Sequence, residues 1–397
     1  MSRSGRVVRH PADEHGLRIV IDEEEAYDYC VVGAGIAGAS IAFELAEHSR
    51  VLLLEMEEAA GRHTTGRSAA LFSTIYGNAT IRALSRASEP MFRRGIAAGG
   101  CQPLSPRGTL FVATEEHMRL LDALATDPDA ATHVVPLDGP GARAFCPILA
   151  SGRFAGALYE EGSSDIDVDA MHQAYLRGYR QRGGATKLGA PLVSLSRAAG
   201  CWEVHTGAGT LGARVVVNAA GAWADEIGAM AGAGAIGLIP MRRTAITIAA
   251  PDGHVVDGWP TVIDAAEDFY FKPDAGRLLV SPADETPSEP CDAAPEEYDV
   301  ALAAYRFEEA TAHSVTRIMS RWAGLRNFVS DRTPVVGYDD QVADFFWLAG
   351  QGGYGIQTAP ALARMAAALA AGRPLPREIV AEGISADQLS PTRLRAA

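Results

Sequence analysis

Cysteine is scarce and unpaired in this 397-residue chain: five residues, at 30, 101, 146, 201 and 291, with no CxxC spacing. A disulfide scaffold or a cysteine-based zinc site needs closer, paired spacing, so both are excluded and no metal centre is expected. A reducing compartment follows as the expectation. Basic excess is also missing. Lys and Arg number 35 against 49 Asp and Glu, a formal net charge of −14, which lacks the positive footprint of a nucleic-acid binder. Long apolar runs are absent as well. The longest nearly uncharged stretch, Ile227 to Met241, is Gly-rich, contains Pro240 and falls short of the ~18 residues of a membrane span. The opening MSRSGRVVRHPADEHGLR has no apolar signal core. A soluble, cytoplasmic protein without a transmembrane segment is predicted.

What is present is enough for a large core. Hydrophobic residues make up 48% and charged ones 21%, and the length suits two domains or three. Residues 1–26 read as a polar arm in which Leu17–Ile21 could add an edge strand. Tyr29-Cys30-Val31-Val32 then reads as a buried strand, and Ala37, Ile41 and Leu45 recur at the spacing of an amphipathic helix. Val51–Leu54 is the next buried strand. Pro282 to Tyr298 is polar and reads as a surface loop. A last long helix is predicted from Gln357 to about Ala371, stopped by Gly372-Arg373-Pro374. No linker marks a boundary, so two domains must be interleaved.

The chemistry begins between the first strand and helix, where Gly33-Ala34-Gly35-Ile36-Ala37-Gly38 forms GxGxxG. Gly33 permits the tight turn, Gly35 lets a pyrophosphate approach the backbone, and Gly38 lets the helix lie close on the sheet. The helix N-terminus, with Ile36 and Ala37, attracts the phosphate charge. Glu55 ends the second strand about 20 residues later, placed to accept hydrogen bonds from ribose hydroxyls. Glycine is abundant, yet strand, loop, helix and acid in register make a strong dinucleotide signature. It leaves FAD and NAD both open.

Two further segments bear on that choice: Val215–Trp223, a buried strand running into small residues and Gly221, and Gly350-Gln351-Gly352-Gly353-Tyr354-Gly355-Ile356, a second glycine loop opening the last helix. With the fingerprint they resemble the D-amino-acid oxidase/dehydrogenase family of flavoproteins, which includes glycine oxidase and sarcosine oxidase. The likeness is nearest the D-arginine dehydrogenase branch, through HTTGRSAALF (63–72), DIDVDAMHQAYLRG (165–178), VVNAAGAWAD (216–225), FYFKPDAG (269–276), WAGLR (322–326) and GQGGYGIQT (350–358). The resemblance implies an α/β fold in which a Rossmann-type FAD-binding domain, drawn as 27–102, 151–235 and 327–397, interleaves with a substrate domain, 103–150 and 236–326, built on a mixed, mostly antiparallel sheet. It implies FAD, with Thr64, Thr65, Gly66, Arg67 and Ser68 near flavin and phosphates and the Leu192 backbone beside the adenine; the FAD is expected to be non-covalent, because no cysteine or histidine can be tied to its ring from the sequence. Gly352, Gly353, Tyr354, Gly355 and Ile356 would aim a helix N-terminus, roughly half a positive charge, at the flavin ring.

For substrate, the resemblance implies that Arg326 and Arg243 pair an amino acid carboxylate, which suits the planar guanidinium fork. On a strand Arg242 and Arg243 face opposite ways, so at most one can enter a cavity. Tyr270 matches a tyrosine that bonds the carboxylate, Tyr76 matches a loop tyrosine closing over the ligand, and the Gly353 carbonyl is an acceptor for the amine. Ser73 belongs to the same pocket. Two positions depart from the branch: Leu71 replaces a histidine, and Thr109 replaces a glutamate that pairs a cationic side chain. A neutral side-chain pocket is therefore expected, since a buried unpaired cation is costly. The expected activity is oxidative deamination of an uncharged D-amino acid. The alternatives are oxidation of a secondary or cyclic amine or a 2-hydroxy acid, and a flavoprotein subunit without chemistry of its own. Sequence leaves open whether oxygen, a quinone or a protein takes the electrons.

Overall fold

The computed structural model describes residues 26–97, 99–198 and 200–395. The possible strand at Leu17–Ile21 lies outside them. Five parallel strands form the heart of an eight-stranded sheet: Phe345–Ala349, Gly209–Asn218, Tyr27–Val32, Val51–Leu54 and Ala185–Lys187, in that spatial order. Antiparallel strands flank it at Leu192–Ala198, Cys201–Thr206 and Val335–Tyr338. Strands covered on both faces read as unbroken apolar runs, and Val51–Leu54 is buried at every position. The glycine fingerprint leaves the carboxyl end of the central strand, where ligands of such sheets bind.

The helix Ile36–Leu45 follows at once. The spacing of Ala37, Ile41 and Leu45 suggested one apolar stripe, but the helix is buried nearly all round. The helices Val168–Gln181 and Gly355–Ala370 both pack on it, and its small residues admit them. Gly38 shows why no side chain is possible: a Cβ there would lie 1.8 Å from the Gly33 carbonyl oxygen. The last helix runs Gly355–Ala370, two residues earlier than the predicted start, and ends into Gly372 at φ +63°.

A second sheet of nine strands is antiparallel throughout except where Thr261–Asp264 runs parallel to Thr109–Ala113. The mixed, mostly antiparallel sheet expected from the sequence is thus present. Its membership differs from the drawn bounds at two places: Gly156–Glu160, assigned to the cofactor stretch, pairs with Thr109–Ala113 and Val134–Asp138 in this sheet, and the strand Ile318–Phe328 carries Asn327 and Phe328 past the drawn end at 326. Three short strands, Leu71–Phe72, Ser164–Ile166 and Leu104–Pro106, form a small antiparallel sheet of their own. No helix among the described residues is long and apolar enough to cross a membrane.

Candidate active site and cofactor cavity

One continuous cavity runs from the fingerprint to the second sheet. At the first end lie Gly33, Gly35, Ile36, Ala37, Glu55 and Leu192; along its length lie Thr65, Arg67, Ser68 and Gly221. Glu55 is buried, accepting from Ala34 N at 2.7 Å and Glu57 N at 3.1 Å. Thr65 Oγ1 accepts from Ile36 N at 3.0 Å, tying the 64–67 turn to the fingerprint helix. Gly33 has φ +99°, and a Cβ there would meet the Ala219 carbonyl oxygen at 2.5 Å.

Two residues of the expected cofactor set stand behind the wall rather than on it. Gly38 packs helix on strand, and Gly66 N bonds the Gly61 carbonyl at 2.8 Å. The Arg67 side chain is also turned from the phosphate role: its guanidinium bonds the carbonyls of Ala293 (2.7 Å) and Ala323 (3.0 Å) and pairs with Asp292.

At the far end the second glycine loop meets the substrate candidates. Gly352, Gly353, Tyr354, Gly355 and Ile356 all line the cavity, together with Arg326, Arg243, Tyr270, Tyr76 and Leu71. The N–H groups of Gly353, Gly355 and Ile356 make no hydrogen bond among the described residues, so the helix presents open donors. A Cβ on Gly353 would lie 2.4 Å from Cζ of Arg326, because the loop backbone lies directly against the guanidinium. The Arg326 guanidinium makes no hydrogen bond among the described residues; its one ion pair there is Glu285 at 3.7 Å. The Tyr76 and Tyr354 rings meet at 5.3 Å, and burial raises both hydroxyl pKa values.

The neighbouring arginines part as the strand period requires. Arg242 turns away to Glu296 and to Asp299 at 2.9 Å. Arg243 faces the cavity, with Nε donating to the Asp284 carbonyl (2.7 Å) and Nη2 to Glu285 (3.1 Å). Burial and the adjacent Arg326 charge lower its pKa.

Two expected pocket residues are not on the cavity wall. Thr109 is fully buried, its hydroxyl 2.7 Å from Ser163 Oγ. Its neighbour across the parallel pair, Thr261, lines the cavity instead. Ser73 is also fully buried: its hydroxyl donates to Glu160 at 2.8 Å, and its N–H donates to Gln357 Oε1 at 3.2 Å. Burial pushes the Glu160 carboxyl up to about 7 against the Ser73 hydrogen bond.

The wall also carries residues that the sequence reading did not single out. Thr261 Oγ1, Asn327 Oδ1, Gln351 Nε2 and Gln357 Nε2 are buried atoms of residues that line the cavity, and they have no hydrogen-bond partner among the described residues. Buried polar atoms normally find partners. Orphans gathered on one cavity fit a large polar ligand there, and the glycine cradles fit its close approach.

Parallel sheet, glycine fingerprint and the cavity beside it define a dinucleotide-binding protein. The chain belongs to the DAO family of FAD dependent oxidoreductases, whose model matches residues 28–369, and FAD is its cofactor. Dimethylglycine dehydrogenase of Rattus norvegicus is 28% identical over 263 residues, which cover 64% of this chain and 30% of that protein. The chain thus spans only that share of the relative's length. Glycine oxidase of Geobacillus kaustophilus is 26% identical over 364 residues, 84% of this chain and 90% of that protein. Its crystal structure matches with a TM-score of 0.75 at 24% identity, covering 89% of this chain and 99% of the other. FAD-bound L-alpha-glycerophosphate oxidase from Mycoplasma pneumoniae matches at 0.77 and 20% identity, covering 87% and 95%. These structural likenesses speak to the fold.

Proposed function

We propose that this protein oxidises an amine that carries a carboxylate, and that a D-amino acid with an uncharged side chain is its substrate. The observation that carries this reading is Arg326: a guanidinium walled in by Gly353, Tyr76 and Tyr270, facing a cavity and lacking any hydrogen bond among the described residues. A cation so placed calls for an anion, and a carboxylate matches its fork.

In this reading Arg326 takes the substrate carboxylate and Arg243 adds its remaining edge. Tyr270 and Tyr76 donate hydroxyl hydrogen bonds, and the Gly353 carbonyl accepts from the amine. Two nearby guanidinium charges favour the neutral amine over the ammonium, which frees the nitrogen lone pair. Tyr76, stacked edge-on against Tyr354, excludes water from that side. FAD, when bound, supplies the acceptor for the two electrons and proton leaving the substrate α-carbon as hydride. The imino acid then hydrolyses to a 2-oxo acid and ammonia. Positioning carries much of the rate, since no covalent bond to protein is needed. Thr65, Glu55, Leu192 and the two glycine loops would hold FAD non-covalently.

Leu71, Ile263 and Phe269 support an uncharged substrate side chain, and Thr261 takes the part first given to Thr109. The likeness to the D-arginine dehydrogenase branch supports the roles of Tyr76, Tyr270 and the arginines, while these neutral walls argue against its cationic substrate. A second reading is favoured by the relatives named for dimethylglycine and glycine: an amine without a side chain, its nitrogen free or methylated. Steady-state kcat/KM for D-leucine, D-methionine and D-phenylalanine against sarcosine, dimethylglycine, D-arginine and D-lysine separates the two. Preference for the cations would set exposed Glu267, on the cavity rim, against the substrate and overturn the uncharged assignment.

A further inference from the structure

The loop read from sequence as solvent-facing carries Asp284 and Glu285 into the arginine cluster. Asp284 accepts from Thr244 N at 2.7 Å and Thr244 Oγ1 at 3.0 Å, and Thr286–Pro287 pairs with Met241 and Arg242. These bonds fasten the loop to the strand that bears Arg243. Glu285 is thereby fixed among three guanidinium groups. Its Oε1 lies 3.1 Å from Arg243 Nη2, 2.9 Å from Arg332 Nη2 and 3.7 Å from Arg326 Nη1, while Oε2 takes Arg332 Nη1 at 3.1 Å. Burial works against its charge, but the arginines, Arg332 foremost, hold its pKa below the usual glutamate value.

The cavity therefore does not offer two free cations. Arg243 has Nε and Nη2 committed to the loop, while the Arg326 guanidinium makes no hydrogen bond among the described residues. A ligand held on Arg326 through one carboxylate would bring any second carboxylate toward a guanidinium already engaged and toward a fixed negative charge. Like charges juxtaposed in a partly desolvated site repel strongly.

We propose that Glu285 is a specificity-determining residue, a built-in carboxylate on Arg243 and beside Arg326 that admits monocarboxylate amines and rejects dicarboxylate amines. This rests on the reading that Arg326 binds a substrate carboxylate.

The test compares substrate pairs that differ in one charge: D-glutamine with D-glutamate, D-asparagine with D-aspartate, and sarcosine with iminodiacetate. Holoenzyme should favour the monocarboxylate of each pair, and Glu285→Gln should narrow that kcat/KM ratio by about 10- to 100-fold. Glu285→Asp, which keeps the charge, should restore the discrimination. A parallel titration of propionate and succinate into holoenzyme, followed by flavin absorbance and calorimetry, needs no turnover. Succinate should gain on propionate in Glu285→Gln. Should no amine be oxidised, the amine reading fails while this titration still decides the role of Glu285. Unchanged succinate-to-propionate affinity in folded, FAD-loaded Glu285→Gln overturns the proposal. Wild type that binds succinate as tightly as propionate overturns it too, whether or not the variant folds.

Discussion

Replacing Gly353 by Ala probes the contact on which the arginine site depends. A Cβ at this position would sit 2.4 Å from Cζ and 2.5 Å from Nε and Nη2 of Arg326, where ordinary contact begins at 3.4 Å. The loop cannot give way cheaply. Gly352 N is bonded to the Asn327 carbonyl at 2.9 Å, and Gly352 itself is packed so that its own Cβ would meet the Phe328 ring at 2.2 Å. The guanidinium must therefore retreat by about 1 Å, and displacements of that size cost on the order of 10²-fold in rate where a substrate is clamped. The expected result is a fall in kcat/KM of about that size for any carboxylate-bearing amine, with FAD content and thermal midpoint near wild type. The assay is steady-state turnover with a dye acceptor, alongside the flavin spectrum and a melting curve. Wild-type kcat/KM in a fully loaded Gly353→Ala protein would refute the placement of substrate on Arg326.

The two arginines should differ. Arg326→Met should raise KM steeply, a loss of ~2–5 kcal/mol for a buried charged partner, and Arg243→Met should raise it less because Asp284 and Glu285 already engage that side chain. Flavin content should survive both, and equal KM changes would show that Arg243 is as open to substrate as Arg326. Glu160 should make stability depend on pH. Its carboxyl rises from 4.5 to about 7 in the fold, so its contribution is fully present below about pH 4.5 and is lost as pH climbs through about 7. The thermal midpoint of wild type should accordingly fall more steeply than that of Glu160→Gln between about pH 5 and 8; parallel curves would remove Glu160 as the cause.

Features fixed by local backbone demands were legible in the sequence. Gly33 needs a positive φ, Gly38 leaves no room for a side chain, and a strand must part Arg242 from Arg243; each follows from residue type and spacing. What depends on packing between distant segments was not. The expected pocket hydroxyl was Thr109, yet Thr261 holds the wall because parallel pairing sets these two threonines side by side and the hydroxyl of Thr109 turns to Ser163. No sequence period encodes that cross-strand register. Glu285 and Asp292 were hidden for a related reason: polar residues between prolines read as solvated loop, and only the fold brings them to Arg243 and Arg67. The one signal available was the concentration of acids between two arginine-bearing strands. The stripe of the fingerprint helix misled because small residues such as Gly38, Ala39 and Ala42 carry little apolar contrast, although they admit neighbours on every side.

Anaerobic bleaching of the bound flavin tests the central claim most directly. Purified holoenzyme, free of oxygen, would be mixed in turn with D-amino acids, N-methylated amino acids, 2-hydroxy acids and reduced nicotinamide cofactor, and the loss of flavin absorbance recorded. Bleaching by carboxylate-bearing amines, fastest with uncharged D-amino acids and slowed in Arg326→Met, is the predicted result. Bleaching by hydroxy acids or reduced nicotinamide alone, with every amine inert, would contradict it.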